Sequence, residues 1–244
     1  MGGGAVIKAA QEIRDKMAAI AAGMLQVEPD LLELRDGAFH LGEAAIPLQQ
    51  IANVSYLHNF ALPPGIDPGL VAFVCYDPAV AEPFPNPETG QFNVANTHTS
   101  AAAGAVVEVD IKTGKVEVKN LTLVHDCGTV INQDILDGQI RGAVTQAVGA
   151  TFFEEIRYDD NGQPLTTTLL DYIVPSFNDV VEPKIVHMET PSELLGGFRG
   201  AGEGPIIVTP PAIANAIADA LSPLGVKVLQ TNLGPQRIRE LLRK

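Results

Sequence analysis

The chain has 244 residues, of which 46% are hydrophobic and 18% charged, and its formal net charge is −13. These values exclude a disordered chain and predict a globular protein of one large domain or two subdomains. The acidic balance argues against nucleic-acid binding, so an anionic ligand would be held by backbone N–H groups, helix N-termini and amides. The cysteines are Cys75 and Cys127, without a CxxC pair, which excludes a cysteine-ligated iron–sulfur or structural zinc site within this chain.

The N-terminal segment does not have the pattern of a signal peptide, because Lys8, Glu12, Arg14 and Asp15 interrupt its apolar residues. No uncharged apolar run reaches the length of a membrane span. The sequence therefore predicts a cytoplasmic protein that does not bind a membrane.

The first part of the chain combines helical and hairpin patterns with an irregular segment. Apolar residues at helical spacing predict a helix over 5–25, and "LLELRDGAFHLG" predicts a hairpin that turns at Asp36-Gly37. "PLQQIANVS" indicates a short helix with Pro47 in its first turn. Residues 59–92 are rich in proline and are predicted to be irregular around one apolar strand, "LVAFVCY", in a region suited to line a binding funnel.

The second part begins with two alternating strands joined at Thr113-Gly114. A long helix over "DILDGQIRGAVTQAVGATFFEE" follows, with Asn132 or Asp134 as its N-cap, and "YDDNGQPL" indicates a hairpin turn. Two further helices are predicted, from Pro210 to Leu221 with Thr209 as N-cap, and from Pro235 onward. Hairpins and helices without alternation of strand and helix predict an α+β fold.

Glu203 is a lone carboxylate between Gly202 and Gly204, in "GGFRGAGEGPIIVTPP". The apolar run that follows predicts partial burial, which would raise the pKa of the carboxyl group and suit it to act as a general base. A second interpretation is a glutamate near a helix start that the helix dipole stabilises. Composition alone favours the second interpretation.

Gln139 and Gln146 are seven residues apart and therefore lie on one helix face, among Gly138, Gly142 and Gly149. Small residues allow close approach, and amides both donate and accept hydrogen bonds, so this face suits a polar ligand. The alternative is a helix packed tightly against another element, with the glutamines at its rim.

The segment "HDCGTVIN", residues 125–132, connects a strand end to the glutamine helix. Asp126 can satisfy backbone donors there. A nucleophile formed by Cys127 and His125 is the less common interpretation, because a lone cysteine is more often a small core residue. The chain contains no P-loop, Rossmann, GxSxG or HExxH motif.

Five segments, taken in order, resemble the molybdenum-binding subunit of the molybdenum hydroxylases, the family of xanthine dehydrogenase, aldehyde oxidoreductase and carbon monoxide dehydrogenase. They are "GGAVIKAA", "SAAAGAVVEVDIKTGKVEV", "VHDCGTVIN", "DGQIRGAVTQAVGATFFEE" and "GAGEGP…PPAIANAIADAL". The order and spacing fit from residue 2 to about 222. The chain departs from the family at Asn132-Gln133, where Asn-Pro is usual, and at Arg199, where lysine is common.

The resemblance implies the fold of the second molybdopterin-binding domain and a molybdenum ion held by molybdopterin, in many bacterial members as the cytosine dinucleotide, without side-chain ligands. It implies that Glu203 is the catalytic base beside the metal. It further implies that Gln139, and less directly Gln146, hydrogen-bond the cofactor, and that the chain of Gly200, Ala201 and Gly202 approaches it.

The resemblance also implies partners. The chain corresponds to roughly the last third of a typical molybdenum subunit, so either a second molybdenum-binding subunit completes the site or the chain is an isolated fragment. FAD and [2Fe–2S] clusters are expected on flavin and iron–sulfur subunits, and the substrate is expected to be a small molecule. A non-catalytic scaffold or assembly subunit and a different pterin or nucleotide enzyme are the alternatives.

Overall fold

The computed structural model describes residues 1–78 and 84–243. The chain divides into two compact units: unit one comprises Met1–Phe92 and Leu194–Gly196, and unit two comprises Asn93–Glu193 and Gly197–Lys244. The helices of the described residues are α1 (Gly2–Leu25), α2 (Leu48–Leu57), α3 (Gln133–Phe152), α4 (Gly204–Leu221) and α5 (Pro235–Leu241). The strands are β1 (Glu33–Arg35), β2 (Ala38–Leu41), β3 (Ala44–Pro47), β4 (Ser100–Val109), β5 (Val116–Asp126) and β6 (Lys184–Met188).

Unit one consists of an antiparallel sheet, in the order β1-β2-β3, with α1 and α2. The predicted hairpin is confirmed: Asp36 and Gly37 have φ of 48° and 74°, as a two-residue turn between twisted strands requires. Strand β3 was not predicted. The core of this unit is formed by Ile20, Phe39, Ile46 and Ile51, which are buried together.

The apolar strand predicted at "LVAFVCY" is wrong, because Leu70–Tyr76 forms no strand. These residues find partners other than a neighbouring strand. The backbone N–H of Leu70 donates to the Tyr56 hydroxyl at 3.0 Å. The ring of Tyr76 packs against Gly4 at the start of α1 and lies 5.2 Å from the Lys8 ammonium. In this segment the alternating pattern does not report a strand, and Tyr76 packs against helix α1 instead. The outcome is consistent with the strong dependence of β-propensity on tertiary context.

Unit two is built on the sheet β4-β5-β6. Strands β4 and β5 form the predicted antiparallel pair, whereas β6 runs parallel to β5, from Thr122 opposite Lys184 to Asp126 opposite Met188. A parallel pair needs a crossover, and α3 lies within it. The sequence analysis missed this β5-α3-β6 connection because a long irregular stretch, 153–183, separates α3 from the short β6. The predicted α+β fold is confirmed, with one mixed and one antiparallel sheet.

The core of unit two consists of two adjoining clusters. In the first, Leu121 and Leu123 of β5 pack with Ile140 and Val144 of α3. In the second, the buried residues include Ile213, Ile217 and Leu221 of α4, with Leu233 and Ile238. Helix α3 starts as predicted, since the Asn132 side chain accepts a hydrogen bond from the Ile135 N–H at 3.0 Å.

Helix α4 begins at Gly204, so the predicted start at Pro210 and the N-cap at Thr209 are wrong. The Thr209 hydroxyl instead donates to the Pro205 carbonyl at 2.7 Å, inside the helix. Pro210 and Pro211 are tolerated there although each removes one backbone donor. The range 204–224 is long and apolar enough to cross a membrane by length and composition, but the buried Ile213, Ile217 and Leu221 make α4 a core helix of unit two.

Asp126 is buried at the end of β5 and holds two chain segments there. Its carboxylate accepts hydrogen bonds from the N–H of Gly128 at 2.9 Å and from the N–H of Thr190 at 3.1 Å. This confirms the predicted role in satisfying backbone donors. Burial by itself raises the pKa of Asp126, but the hydrogen bonds from Thr190 and Gly128, with the charge of Arg199, outweigh burial and lower the pKa below its usual value.

We expect Asp126→Asn to lower the free energy of unfolding by about 2 kcal/mol, the scale of a hydrogen bond to a charged group. Because the pKa is lower in the folded state, the contribution of the charge is present above the usual Asp pKa and is lost as the pH falls through the folded value. Urea titrations between pH 3 and 7 measure both effects. The exposed Asp160→Asn is the control, and an equal, pH-independent change in both variants would contradict this role.

Candidate functional site

A loop of seven residues, 197–203, connects to the start of α4 and is tied to the end of β5. The N–H of Arg199 donates to the Cys127 carbonyl at 2.8 Å, and the N–H of Thr129 donates to the Gly197 carbonyl at 3.1 Å. Gly128 and Gly197 have φ of 68° and 69°. A β-carbon on Gly128 would collide with the Gly197 carbonyl, and one on Gly197 would lie 2.6 Å from the Thr129 hydroxyl. Glycine at both positions therefore allows the two backbones to touch.

Side chains hold the same loop from two other directions. The Thr99 hydroxyl donates to the Gly200 carbonyl, and the Arg199 guanidinium donates to the His98 carbonyl at 3.1 Å. The Ser192 hydroxyl donates to the Phe198 carbonyl at 2.7 Å. The loop is therefore fixed by its main chain, although it contains no regular secondary structure.

Glu203 is the N-cap residue of α4, with φ −105° and ψ −15°, and its side chain does not cap the helix. The side chain is exposed, so the predicted partial burial is wrong within this chain. The apolar run that follows Glu203 forms the first turns of α4, in which Pro205 and Thr209 are buried. Glu203 precedes this helix, and its side chain is exposed to solvent. The result is an open carboxylate at the positive end of a helix dipole, where a negative charge is stabilised and can accept a proton from a ligand.

The three residues before Glu203 differ in their surroundings. Gly202 is exposed, and a β-carbon there would have nothing within 4 Å. Ala201 is half-buried and packs against the cluster of β5 and α3. A β-carbon on Gly200 would lie 3.3 Å from the Thr99 hydroxyl. Ala201 therefore anchors the loop, while Gly202 leaves its backbone open to a ligand.

Gln139 and Gln146 are exposed on one face of α3, as predicted. Gly138 and Gly142 on that helix have open space where a β-carbon would stand. Gly149 is different, because a β-carbon there would lie 2.8 Å from the Pro175 ring. Tight packing therefore explains Gly149 alone. Helix α3 and the Glu203 loop both pack on one hydrophobic cluster, through Ile140 of the helix and Ala201 of the loop.

His125 has a place that the sequence analysis did not foresee. Its ring lies against Gly204, the first residue of α4, and is completely buried. The sequence signal was the "HDCG" motif, but His125 was considered there only as a partner of Cys127. Cys127 lies in the core cluster, and burial raises the pKa of its thiol, which disfavours the reactive thiolate.

Two clefts among the described residues of unit two lie away from the predicted site residues. One of about 310 Å³, between the end of α3 and α5, is lined by both acidic and basic side chains, including Arg157, Glu155 and Arg237. Among residues 1–78 and 84–243, no three His, Cys, Asp or Glu side chains form a group that could hold a metal ion.

Known proteins share both the sequence and the fold of this chain. The family described as the molybdopterin cofactor-binding domain matches residues 1–181. The nicotine 6-hydroxylase large subunit of Paenarthrobacter nicotinovorans is 35% identical over 97% of this chain and 28% of its own length. The carbon monoxide dehydrogenase large chain of Afipia carboxidovorans is 29% identical over 93% of this chain and 26% of its own.

A solved structure, that of quinoline 2-oxidoreductase from Pseudomonas putida 86, matches with a TM-score of 0.81 and 34% identity. It covers 97% of this chain, which in turn covers 29% of that structure. A Cu,Mo carbon monoxide dehydrogenase matches with a TM-score of 0.82 and 29% identity, over 99% of this chain and 29% of its own. The chain thus spans between a quarter and a third of the length of these relatives. A family match over most of the chain, together with these structural likenesses, shows that the chain belongs to the molybdopterin cofactor-binding domain family and corresponds to part of the large subunit of its molybdenum hydroxylase relatives.

Proposed function

We propose that this chain supplies cofactor contacts and the catalytic base, Glu203, to a molybdenum hydroxylase that hydroxylates a small substrate with oxygen from water. The observation that carries the proposal is the Glu203 loop: an exposed carboxylate at the mouth of α4, on a backbone fixed by Cys127, Thr129 and Thr99. A carboxylate on a fixed backbone, with open surroundings, suits proton transfer from a ligand bound beside it. A scaffold subunit would not require an exposed carboxylate at this position, whereas a catalytic base does.

The residues present fit molybdopterin. The open positions at Gly138, Gly142 and Gly202 are places where a ligand can approach the backbone. The exposed amides of Gln139 and Gln146 can donate to and accept from a pterin and its phosphate. These contacts suit an anionic cofactor on a chain of net charge −13, because none of them adds negative charge.

Each group then has a defined task. Gln139, and secondarily Gln146, orient the cofactor through hydrogen bonds, and the backbone of Gly200, Ala201 and Gly202 lies against it. Hydroxylation of a substrate C–H group with water releases two electrons and two protons, and molybdenum, when bound, would supply the redox chemistry for the two electrons. The Glu203 carboxylate takes up the proton released from water, and both protons finally leave to solvent. The cytosine dinucleotide form is our proposal for the cofactor, by analogy with bacterial family members.

The partners follow from what this chain contains. It has two cysteines, Cys75 exposed and Cys127 buried, which cannot bind an iron–sulfur cluster between them. Two relatives are called a large subunit and a "complex subunit gamma", and each is more than three times as long as its match to this chain. We propose a second molybdenum-binding subunit, an iron–sulfur subunit and a flavin subunit as partners, in the cytoplasm. A non-catalytic scaffold or assembly subunit is the alternative.

The irregular stretch 153–183 supports a partner on unit two. Its most exposed large side chains are Leu169, Leu170 and Phe177, which are 77%, 91% and 92% exposed. Monomeric proteins rarely display so many apolar side chains in one segment, and such surfaces are usually covered by a partner. We propose that the second molybdenum-binding subunit covers this stretch.

In the natively purified complex, we expect Glu203→Gln to lower kcat by about 10² to 10⁴-fold, the usual contribution of a general base. Molybdenum and pterin content should not change, because the amide has the same shape and the loop is held by its main chain. Glu108→Gln, an exposed residue of β4, is the matched control. Turnover that persists in Glu203→Gln would contradict the assignment of Glu203 as the catalytic base and favour the scaffold alternative.

We expect Phe177→Asp to weaken the co-purification of the second molybdenum-binding subunit without changing the melting temperature of the isolated chain. A charge placed in an apolar contact must be desolvated, which opposes association. Leu229→Asp, at a residue that is 88% exposed elsewhere in unit two, is the control. Equal recovery of the partner with both variants would show that the stretch is not the contact.

A further inference from the structure

His125 is a buried polar side chain that the folded chain does not pair. Its relative exposure is 0%, and neither Nδ1 nor Nε2 has a hydrogen-bond partner among the described residues. Leaving a polar group unpaired in a protein interior destabilises the fold, so such a group in a native structure calls for a functional explanation. An apolar side chain of similar size would fill the same space without this penalty.

The contact that His125 makes is with the start of α4. A β-carbon on Gly204 would lie 2.8 Å from His125 Nε2 and 2.9 Å from Cδ2, which is closer than real β-carbons approach. The Thr99 methyl group would lie 3.0 Å away on another side. Glycine therefore follows Glu203 because the imidazole occupies the space that a side chain would need.

The charge state of His125 suits this place. Burial lowers the pKa of His125, the neighbouring His187 lowers it further, and Asp126 opposes both. His187 is directly opposite His125 on β6, and its Nε2 is 2.7 Å from Asp137 Oδ1, so its own partner lies on α3. A neutral ring does not repel the positive end of the α4 dipole, as an imidazolium would.

The Glu203 side chain has no capping bond that would fix its direction, so its backbone sets the point from which the carboxylate extends and the region that it can reach. That backbone joins α4 through the hydrogen bond from the Ile207 N–H to the Glu203 carbonyl, at 3.2 Å. The first turn of α4 rests on His125 through Gly204. A shift of this turn would move the carboxylate directly.

We propose that His125 is a positioning residue for Glu203: its ring, packed beneath Gly204, sets the first turn of α4 and thereby the place of the carboxylate. The proposal rests on the proposed function of Glu203 as the base. His125 does not touch the ligand in this account, and it acts only through the backbone of residues 203 and 204.

The contact is tested by a double-mutant cycle on the full chain, with His125→Ala and Gly204→Ala. Alone, Gly204→Ala should lower the melting temperature, although alanine is the better helix former, because its β-carbon meets the ring. In the His125→Ala background, the same change should lower it less or raise it. Gly202→Ala, on the other side of Glu203, has open space and should show no dependence on His125. An equal effect of Gly204→Ala in both backgrounds would overturn the contact.

Positioning is tested by NMR of the full chain labelled with ¹³C at glutamate carboxyls, with the Glu203 signal assigned by its loss in Glu203→Gln. We expect His125→Ala to shift that signal, and His125→Phe, which restores a ring, to return it toward the wild-type value. His58→Ala is the control, since His58 is an exposed histidine of unit one. If His125→Ala does not fold, Gly204→Ala should shift the ring ¹⁵N signals of His125 as well as the Glu203 signal, and Gly202→Ala should leave the His125 signals in place. If the ¹³C carboxyl signal of Glu203 did not shift in the His125 and Gly204 variants, the proposal would be overturned.

In the holoenzyme, His125→Ala should lower kcat by about tenfold or more with little change in KM, as expected when a reacting group is displaced. The two proposals fail separately. If Glu203→Gln stays active while His125→Ala shifts the Glu203 signal, Glu203 is not the base but His125 still positions it. If Glu203→Gln is inactive and His125→Ala leaves the Glu203 signal unchanged, Glu203 is the base but His125 does not position it.

Discussion

The candidate site depends on the contact between two backbones, the end of β5 and the loop before α4. Gly128 and Gly197 let these segments touch, and the hydrogen bonds of Arg199 and Thr129 hold them together. The Glu203 loop has no strand or helix of its own, so this contact gives it a fixed position relative to the core of unit two. The glycines of the motif therefore serve two purposes: some allow backbone contact inside the protein, and Gly202 leaves space for a ligand.

The sequence predicted most of the elements whose signals are local. The hairpin at Asp36-Gly37, the β4–β5 pair and the α3 cap at Asn132 follow from turn and cap chemistry within a few residues, and the structure confirms them. The β5–β6 pairing was missed because it joins residues 122–126 to 184–188, and no local pattern reports such a distance. The start of α4 was placed too late because the proline pair at 210–211 favours a helix start, whereas tertiary packing continues the helix through it.

The sequence suggested candidate site residues but did not predict their surroundings. The side chains of Glu203, Gln139 and Gln146 are exposed, as a ligand-binding interpretation requires, whereas the sequence predicted that Glu203 is partly buried. Periodicity cannot report which groups a carboxylate meets, because burial depends on elements far away in sequence and on other polypeptides. His125 was missed for a related reason: its contact with Gly204 joins residues far apart in the chain, and only the folded backbone brings them together.

The central claim is that this chain forms part of a molybdenum site whose base is Glu203. The most direct measurement is elemental analysis of the complex purified natively with this chain as bait, together with identification of the co-purifying polypeptides. The account predicts molybdenum in stoichiometric amount with the chain, alongside a larger molybdenum-binding partner. A complex with intact partners but no molybdenum would contradict the account and favour a scaffold role or a different pterin chemistry.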